Sequence, residues 1–232
     1  MNLQIIYEDA QYLAVFKPSG VHSVLQQEGG LSIAQQLLMA FPQLEGVGAK
    51  SGDTGLVHRL DVETSGVLIA AKTQDAWQWL HDEMKHGRVS KRYYAVVEGN
   101  VRGPLSCAAW IGARYRRSKR VHATAAYDAS YHSSQPAISY FRPCSTNAAQ
   151  NYSIVEVEIP TGRRHQIRAH AAFCGHPLVG DKVYGSVSPS LTEETFLLHA
   201  YCYQFANRDS LLVTVQAPIS GGFAKVFPMG AP

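Results

Sequence analysis

The sequence predicts an α+β fold, and three observations carry that prediction. Most patterned segments are short and either apolar or alternating, as strands are. Three segments show the three-and-four spacing of a helix. Strand-like and helix-like segments do not alternate regularly, which argues against a doubly wound parallel sheet.

In chain order, residues 5–16 alternate weakly around apolar positions and stop at the turn 17-KPSG-20. The stretch 32-SIAQQLLMAF-41 reads as a helix, with Ser32 as N-cap, Gln35 completing a capping box and Pro42 ending it. Ile33, Leu37 and Phe41 share one face of it. A glycine-rich loop over 46–55 leads through 56-LVHRLD-61 to a strand at 67-VLIAA-71. A second helix runs from Asp75 to about His86, with Trp77, Leu80 and Met84 on one side and Gly87 at its end. Strands follow at 93-YYAVVEG-99, 137-AISYF-141 and 152-YSIVEVEI-159. In the last of these Val155, Val157 and Ile159 share one face, and Glu156 and Glu158 the other. A third helix starts at about His165 and ends before 175-GHP-177; strands at 196–205 and 211–218 close the chain around 207-NRDS-210.

At 46% hydrophobic, the 232 residues can build one sizeable core or two small lobes. The start of the chain carries Glu8 and Asp9 and no basic region, unlike a signal peptide, and no run reaches the roughly 18 apolar residues of a membrane span. Cys107, Cys144, Cys174 and Cys202 are widely spaced with no C-x-x-C, which fits a reduced, cytoplasmic protein better than a disulfide scaffold or zinc site. A net charge of +3 identifies no partner, but its distribution is uneven. Arg114, Arg116, Arg117, Lys119 and Arg120 crowd 112-GARYRRSKRVH-122, and Arg163, Arg164 and Arg168 crowd 161-TGRRHQIRAH-170. Such clusters suit a polyanion, and RNA or DNA is the partner they favour over a plain solvated face.

In 58-HRLDVETSG-66, a core-directed Leu60 leaves Arg59 and Asp61 on the other side of an extended segment. A carboxylate placed there needs a cationic partner to stay ionised, and Arg168 suits it in geometry and permanent charge. Arg164 and Arg168 are four apart and share a helix side if the helix begins early enough. No histidine or carboxylate spacing resembles a zinc site, no glycine fingerprint marks a nucleotide cofactor, and Ser65 lacks a hydrolase elbow. One of Tyr93 and Tyr94 is expected to face away from the core, where a tyrosine can stack on a base.

Four segments together resemble the RluA-type pseudouridine synthases: 17-KPSG-20, 58-HRLDVETSG-66, 91-KRYYAVVEG-99 and 161-TGRRHQIRAHAAFCGHPLVGDKVYG-185. Their order and separation match, and the resemblance runs from about Asp9 to Pro218. It implies a single catalytic domain over 1–232 with its core at about 9–218, and a mixed, largely antiparallel sheet with short flanking helices and a cleft. It also implies no cofactor and no metal, and conversion of particular uridines in tRNA or rRNA to pseudouridine. Asp61 falls on the family's catalytic aspartate, Arg59 on the arginine that fills the space of a flipped base, Tyr93 on its K-x-Y tyrosine and Arg168 on the basic partner of the aspartate. His58, Thr64 and Gly66 are implied to shape the loop, and His165 and Gln166 to orient the third segment or contact RNA. Arg164, Arg116 and Arg117 are the further expected RNA contacts.

Two departures stand out. Only 16 residues precede Lys17, so the S4 RNA-binding domain common in the family is not expected. In 135-QPAISYF-141, Gln135 and Ser139 replace features of the family's G-K-x-A-x-T strand. A monomer is expected. The alternative to an isomerase is a non-catalytic RNA-binding or RNA-chaperone protein on the same fold.

Overall fold

The computed structural model describes residues 3–24, 30–50 and 52–227; position 51 of the expected glycine-rich loop lies outside these. In chain order the elements are β1 (Gln4–Glu8), β2 (Tyr12–Lys17), α1 (Ile33–Ala40), β3 (Ser65–Ala71), α2 (Gln74–Lys85), β4 (Ser90–Glu98), β5 (Leu105–Ala113), β6 (His122–Thr124), β7 (His132–Asn147), β8 (Tyr152–Glu158), α3 (Gln166–Phe173), β9 (Leu198–Ala206), β10 (Leu212–Gln216) and α4 (Gly221–Val226). They form two compact units, Met1–Lys91 with His199–Gly221 and Arg92–Leu198 with Gly222–Pro232. The expected α+β class holds, with strand pairing antiparallel nearly throughout.

In the first unit, the weak alternation over 5–16 resolves into two strands rather than one. Asp9 breaks it, because its Oδ1 accepts from the backbone N–H groups of Gln11 and Tyr12 at 2.7 and 2.6 Å and folds the chain back. β1 pairs antiparallel with β2, β2 with β3, and β10 with β9. The parallel contact is short and joins Ser65 and Gly66 of β3 to His199 and Ala200 of β9. β3 is buried at every position, which explains its unbroken apolar run. The capping box of Ser32 and Gln35 is formed, and Ile33 and Leu37 are buried. Thr73 caps α2, Trp77 and Leu80 face the core, and Gly87 follows the helix at φ +71°.

In the second unit, β8 pairs with β4 and β7, and β5 with β7 and β6, all antiparallel. The sequence showed β7 only at 137–141, but it runs for 16 residues. Pro143 obscures it, since a proline without an N–H weakens the strand signal, and the register slips between Pro143 and Ser145. Tyr93 and Tyr94 are both buried, at 6% and 5% exposure, against the expected outward turn of one of them. The short helix α4, which the sequence did not reveal, accounts for this: Phe223 and the following Phe227 pack on Tyr94, with ring centroids at 6.5 and 4.8 Å. The replacement at Ser139 keeps a working hydroxyl. Fully buried, its Oγ meets His170 Nδ1 at 2.9 Å and accepts from Gln166 Nε2 at 3.1 Å.

Buried histidines give the fold an acid limit. His199 in the first unit, with Nδ1 2.9 Å from Ser65 Oγ, and His170 in the second are both fully buried. Burial pushes each from 6.5 down to about 4. The unfolded chain therefore binds more protons than the folded one between pH 6.5 and about 4, and stability falls as pH drops through that window. At about pH 5 the expected loss is on the order of 2 kcal/mol for each histidine. Urea unfolding at about pH 7.5 and about pH 5 measures it; an unchanged midpoint would contradict this account.

Candidate active site

Asp61 sits in an irregular segment whose backbone is held at nearly every residue. Leu60 is buried between an exposed Arg59 and a half-buried Asp61, as the spacing predicts. Ser23 Oγ donates to the Leu60 carbonyl at 2.7 Å and accepts from the Leu60 N–H at 3.0 Å. The Val62 carbonyl accepts from Lys17 Nζ at 2.8 Å and from the Gly20 N–H at 2.9 Å, while Ser19 Oγ donates to the Glu63 carbonyl at 2.8 Å. Thr64, buried, closes the turn by donating its N–H to the Asp61 carbonyl at 3.1 Å. The 17-KPSG-20 turn, recognised in the sequence but given no role there, is thus a clamp on the Asp61 segment. Burial pushes the fully enclosed Lys17 ammonium down to about 8, with Glu63 and Asp61 opposing that shift.

His58 supports this segment through the protein interior. Its ring stacks on Tyr203 with centroids 4.7 Å apart, and its Nε2 accepts from the Ile69 N–H at 3.2 Å. Burial, aided by the charge of Lys91, pushes its pKa down to about 3. It is therefore neutral at physiological pH and suited to accepting that bond.

In the second unit, Arg168 projects from α3 and is 6% exposed. Its Nε and Nη2 donate to the two carboxylate oxygens of Asp181 at 2.6 and 2.9 Å, a planar fork on a buried acid. Its guanidinium lies over the rings of Tyr184 and Phe196, 4.9 and 4.5 Å from their centroids. Sequence reasoning quoted Asp181 and Tyr184 within the GDKVYG stretch without assigning them a part. The fork is expensive to break, because removing one member of such a buried pair costs about 3–5 kcal/mol.

Helix α3 starts at Gln166, later than the four-residue spacing of Arg164 and Arg168 required, so Arg164 lies in the preceding loop and is exposed. The N-cap His165 takes left-handed backbone angles, φ 50° and ψ 27°, which end the loop instead of extending the helix. Gln166 orients the segment. Its Oε1 accepts from Thr161 Oγ1 and the Arg163 N–H, both at 3.0 Å, and its Nε2 donates to the Ile138 carbonyl at 2.7 Å and to Ser139 Oγ. Those four bonds use both acceptor and both donor positions of the amide. Arg116 and Arg117 are exposed in the segment between β5 and β6. Among the described residues no cluster of three or more His, Cys, Asp or Glu side chains could hold a metal ion, and no helix is long and apolar enough to cross a membrane.

Comparison with known proteins defines the class. The model of the RNA pseudouridylate synthase family matches residues 11–173, and the chain belongs to that family of isomerases. Over 222 residues it is 32% identical to a Bacillus subtilis protein named uncharacterized RNA pseudouridine synthase YhcT, covering 94% of this chain and 68% of that one. Over 187 residues it is 35% identical to ribosomal large subunit pseudouridine synthase D of Pseudomonas aeruginosa, covering 80% of this chain and 54% of that one. The structure of human RNA pseudouridylate synthase domain containing 1 superposes with a TM-score of 0.73 at 26% identity, covering 94% of this chain and 84% of that one. The fold expectation is thereby matched by a solved relative. The chain spans 54–68% of the length of the two bacterial relatives.

Proposed function

We propose that the protein isomerises specific uridines in RNA to pseudouridine, with Asp61 as the catalytic carboxylate. The observation that carries this reading is the clamp. Five hydrogen bonds from Lys17, Ser19, Gly20 and Ser23 fix the backbone on either side of Asp61. Preorganisation of this kind is what a group acting at one sugar carbon requires.

The reaction breaks the C1′–N1 bond, turns the uracil and joins C1′ to C5. The C5 proton leaves and N1 gains one, so substrate and product are isomers and no co-reactant is consumed. The uridine must first leave the stack, since its reacting atoms are closed off inside paired RNA. Asp61 either attacks C1′ or takes a sugar proton. Arg59, exposed beside it, fills the vacated stack. Tyr93 stacks on the base and assists the transfer from C5, and Arg168 serves as the cationic partner of the reacting carboxylate. Exposed Arg116, Arg117 and Arg164, with His165, meet the RNA backbone.

The relative named for the ribosomal large subunit supports rRNA as the first substrate to try, with tRNA second. The test is incubation with unmodified rRNA and tRNA transcripts followed by chemical mapping of pseudouridine. New pseudouridine at discrete positions is expected. Tight RNA binding with no isomerised uridine across the panel would overturn the reading in favour of a non-catalytic RNA-binding protein.

A further inference from the structure

Tyr184 itself has no part in the isomerase reading, although two of its neighbours, His165 and Arg168, do. Its side chain is 3% exposed and packs with Ile111, Val121, Ala137 and Ala169, where β5, β7 and α3 meet. Two guanidiniums lie over its ring, Arg120 at 5.3 Å and Arg168 at 4.9 Å from the centroid. Arg120 is exposed and ends the basic segment, whereas Arg168 is buried and held by Asp181. The hydroxyl has partners on the same two sides. It accepts from the Val121 N–H at 3.1 Å and lies 3.0 Å from His165 Nδ1. A phenol that accepts from Val121 can direct its own proton at Nδ1, which leaves the ring proton of His165 on Nε2. His165 is also the residue with left-handed backbone angles that opens α3, a strained position that needs outside support.

We propose that Tyr184 is a positioning residue that docks the basic segment 114–120 onto the start of α3, so that one side chain sets both the cations that capture RNA phosphates and the guanidinium of Arg168. The proposal rests on the RNA isomerase reading and goes beyond it by dividing the side chain into two working halves. The hydroxyl ties the basic segment, through Val121, to His165. The ring offers Arg168 a face that holds its plane while Asp181 holds its edge.

The two halves separate experimentally. Tyr184→Phe keeps the ring and removes the hydroxyl. It is expected to weaken RNA binding about tenfold and to lower the slope of log K against log salt by about one phosphate contact. Its single-turnover rate at saturating RNA should stay within about threefold of wild type. Tyr184→Leu removes both halves and is expected to lower that saturated rate about tenfold as well. The exposed Arg120→Ala lowers the salt slope by itself, and combining it with Tyr184→Phe should lower it no further, because both act through one docked segment.

Binding is read on a transcript regardless of turnover, so the two readings fail differently. Wild-type binding without pseudouridine sinks the isomerase reading and leaves the docking test standing. A wild-type slope in Tyr184→Phe, or slope losses that add fully in the double variant, would overturn the docking proposal. A chain that binds no RNA overturns it too. If the Tyr184 variants do not fold, Arg120→Ala still decides, since the proposal requires its slope to fall and an unchanged slope overturns it.

Discussion

Asp61→Asn is expected to abolish isomerisation, lowering the single-turnover rate by about a thousandfold or more, while folding and RNA binding persist. Asparagine has nearly the same shape, but it can neither attack C1′ nor accept a proton as a carboxylate does. The fold survives because the bonds that hold the segment end on the backbone of Leu60, Asp61, Val62 and Glu63. Thermal unfolding should therefore stay within a few degrees of wild type. Single-turnover pseudouridine formation on the wild-type substrate measures the loss. Activity close to wild type in Asp61→Asn would remove Asp61 from the chemistry.

Gly66→Ala carries the second large effect, and it falls on stability. Gly66 has φ +121°, a conformation that side-chain-bearing residues rarely adopt, and an added Cβ would lie 2.2 Å from the Ala200 carbonyl oxygen. The carbonyl carbon and nitrogen of Ala200 are each 2.7 Å from that position, so no flexible side chain can give way. The strands must part at their parallel contact, where Gly66 is paired with Ala200. The cost is about 4 kcal/mol or more, which lowers the melting temperature by roughly 10 °C in a domain of this size. Gly103→Ala is the control, because nothing lies within 4 Å of its added Cβ, and it should melt with the wild type. Melting of the two variants at the same temperature would refute the steric account. The final glycine of TSG is thus required by the approach of a second strand, which its place in a motif could not reveal.

What the sequence made legible was local. The capping box at Ser32, the end of α2 at Gly87 and the outward setting of Arg59 and Asp61 around Leu60 depend on residues within a few positions, and all stand in the structure. The segment from 100 to 135 was illegible because β5 and β6 are defined by pairing partners and not by a clean alternation of their own. Tyr94 misled for a related reason, since its cover comes from α4, some 130 residues later. At the candidate site, the fork between Arg168 and Asp181 was not readable. The partners of the Gln166 amide were not readable either, because they cannot be counted from its neighbours in the chain. The same holds for Ser139, whose hydroxyl is used by His170 from 31 positions away.

The parallel contact between β3 and β9 also has a consequence for the newborn chain. Ser65 and His199 are 134 residues apart, and the second unit's Arg92–Leu198 is translated between them. At about 5–20 residues per second, the Ser65 hydroxyl waits roughly 7–27 s for its histidine. The clamp on Asp61 needs no such wait, because Lys17, Ser19 and Ser23 emerge before the segment they hold. On the ribosome, the Asp61 loop can thus take shape while the edge of β3 at Ser65 and Gly66 is still open, and that interval exposes it to stray strand pairing.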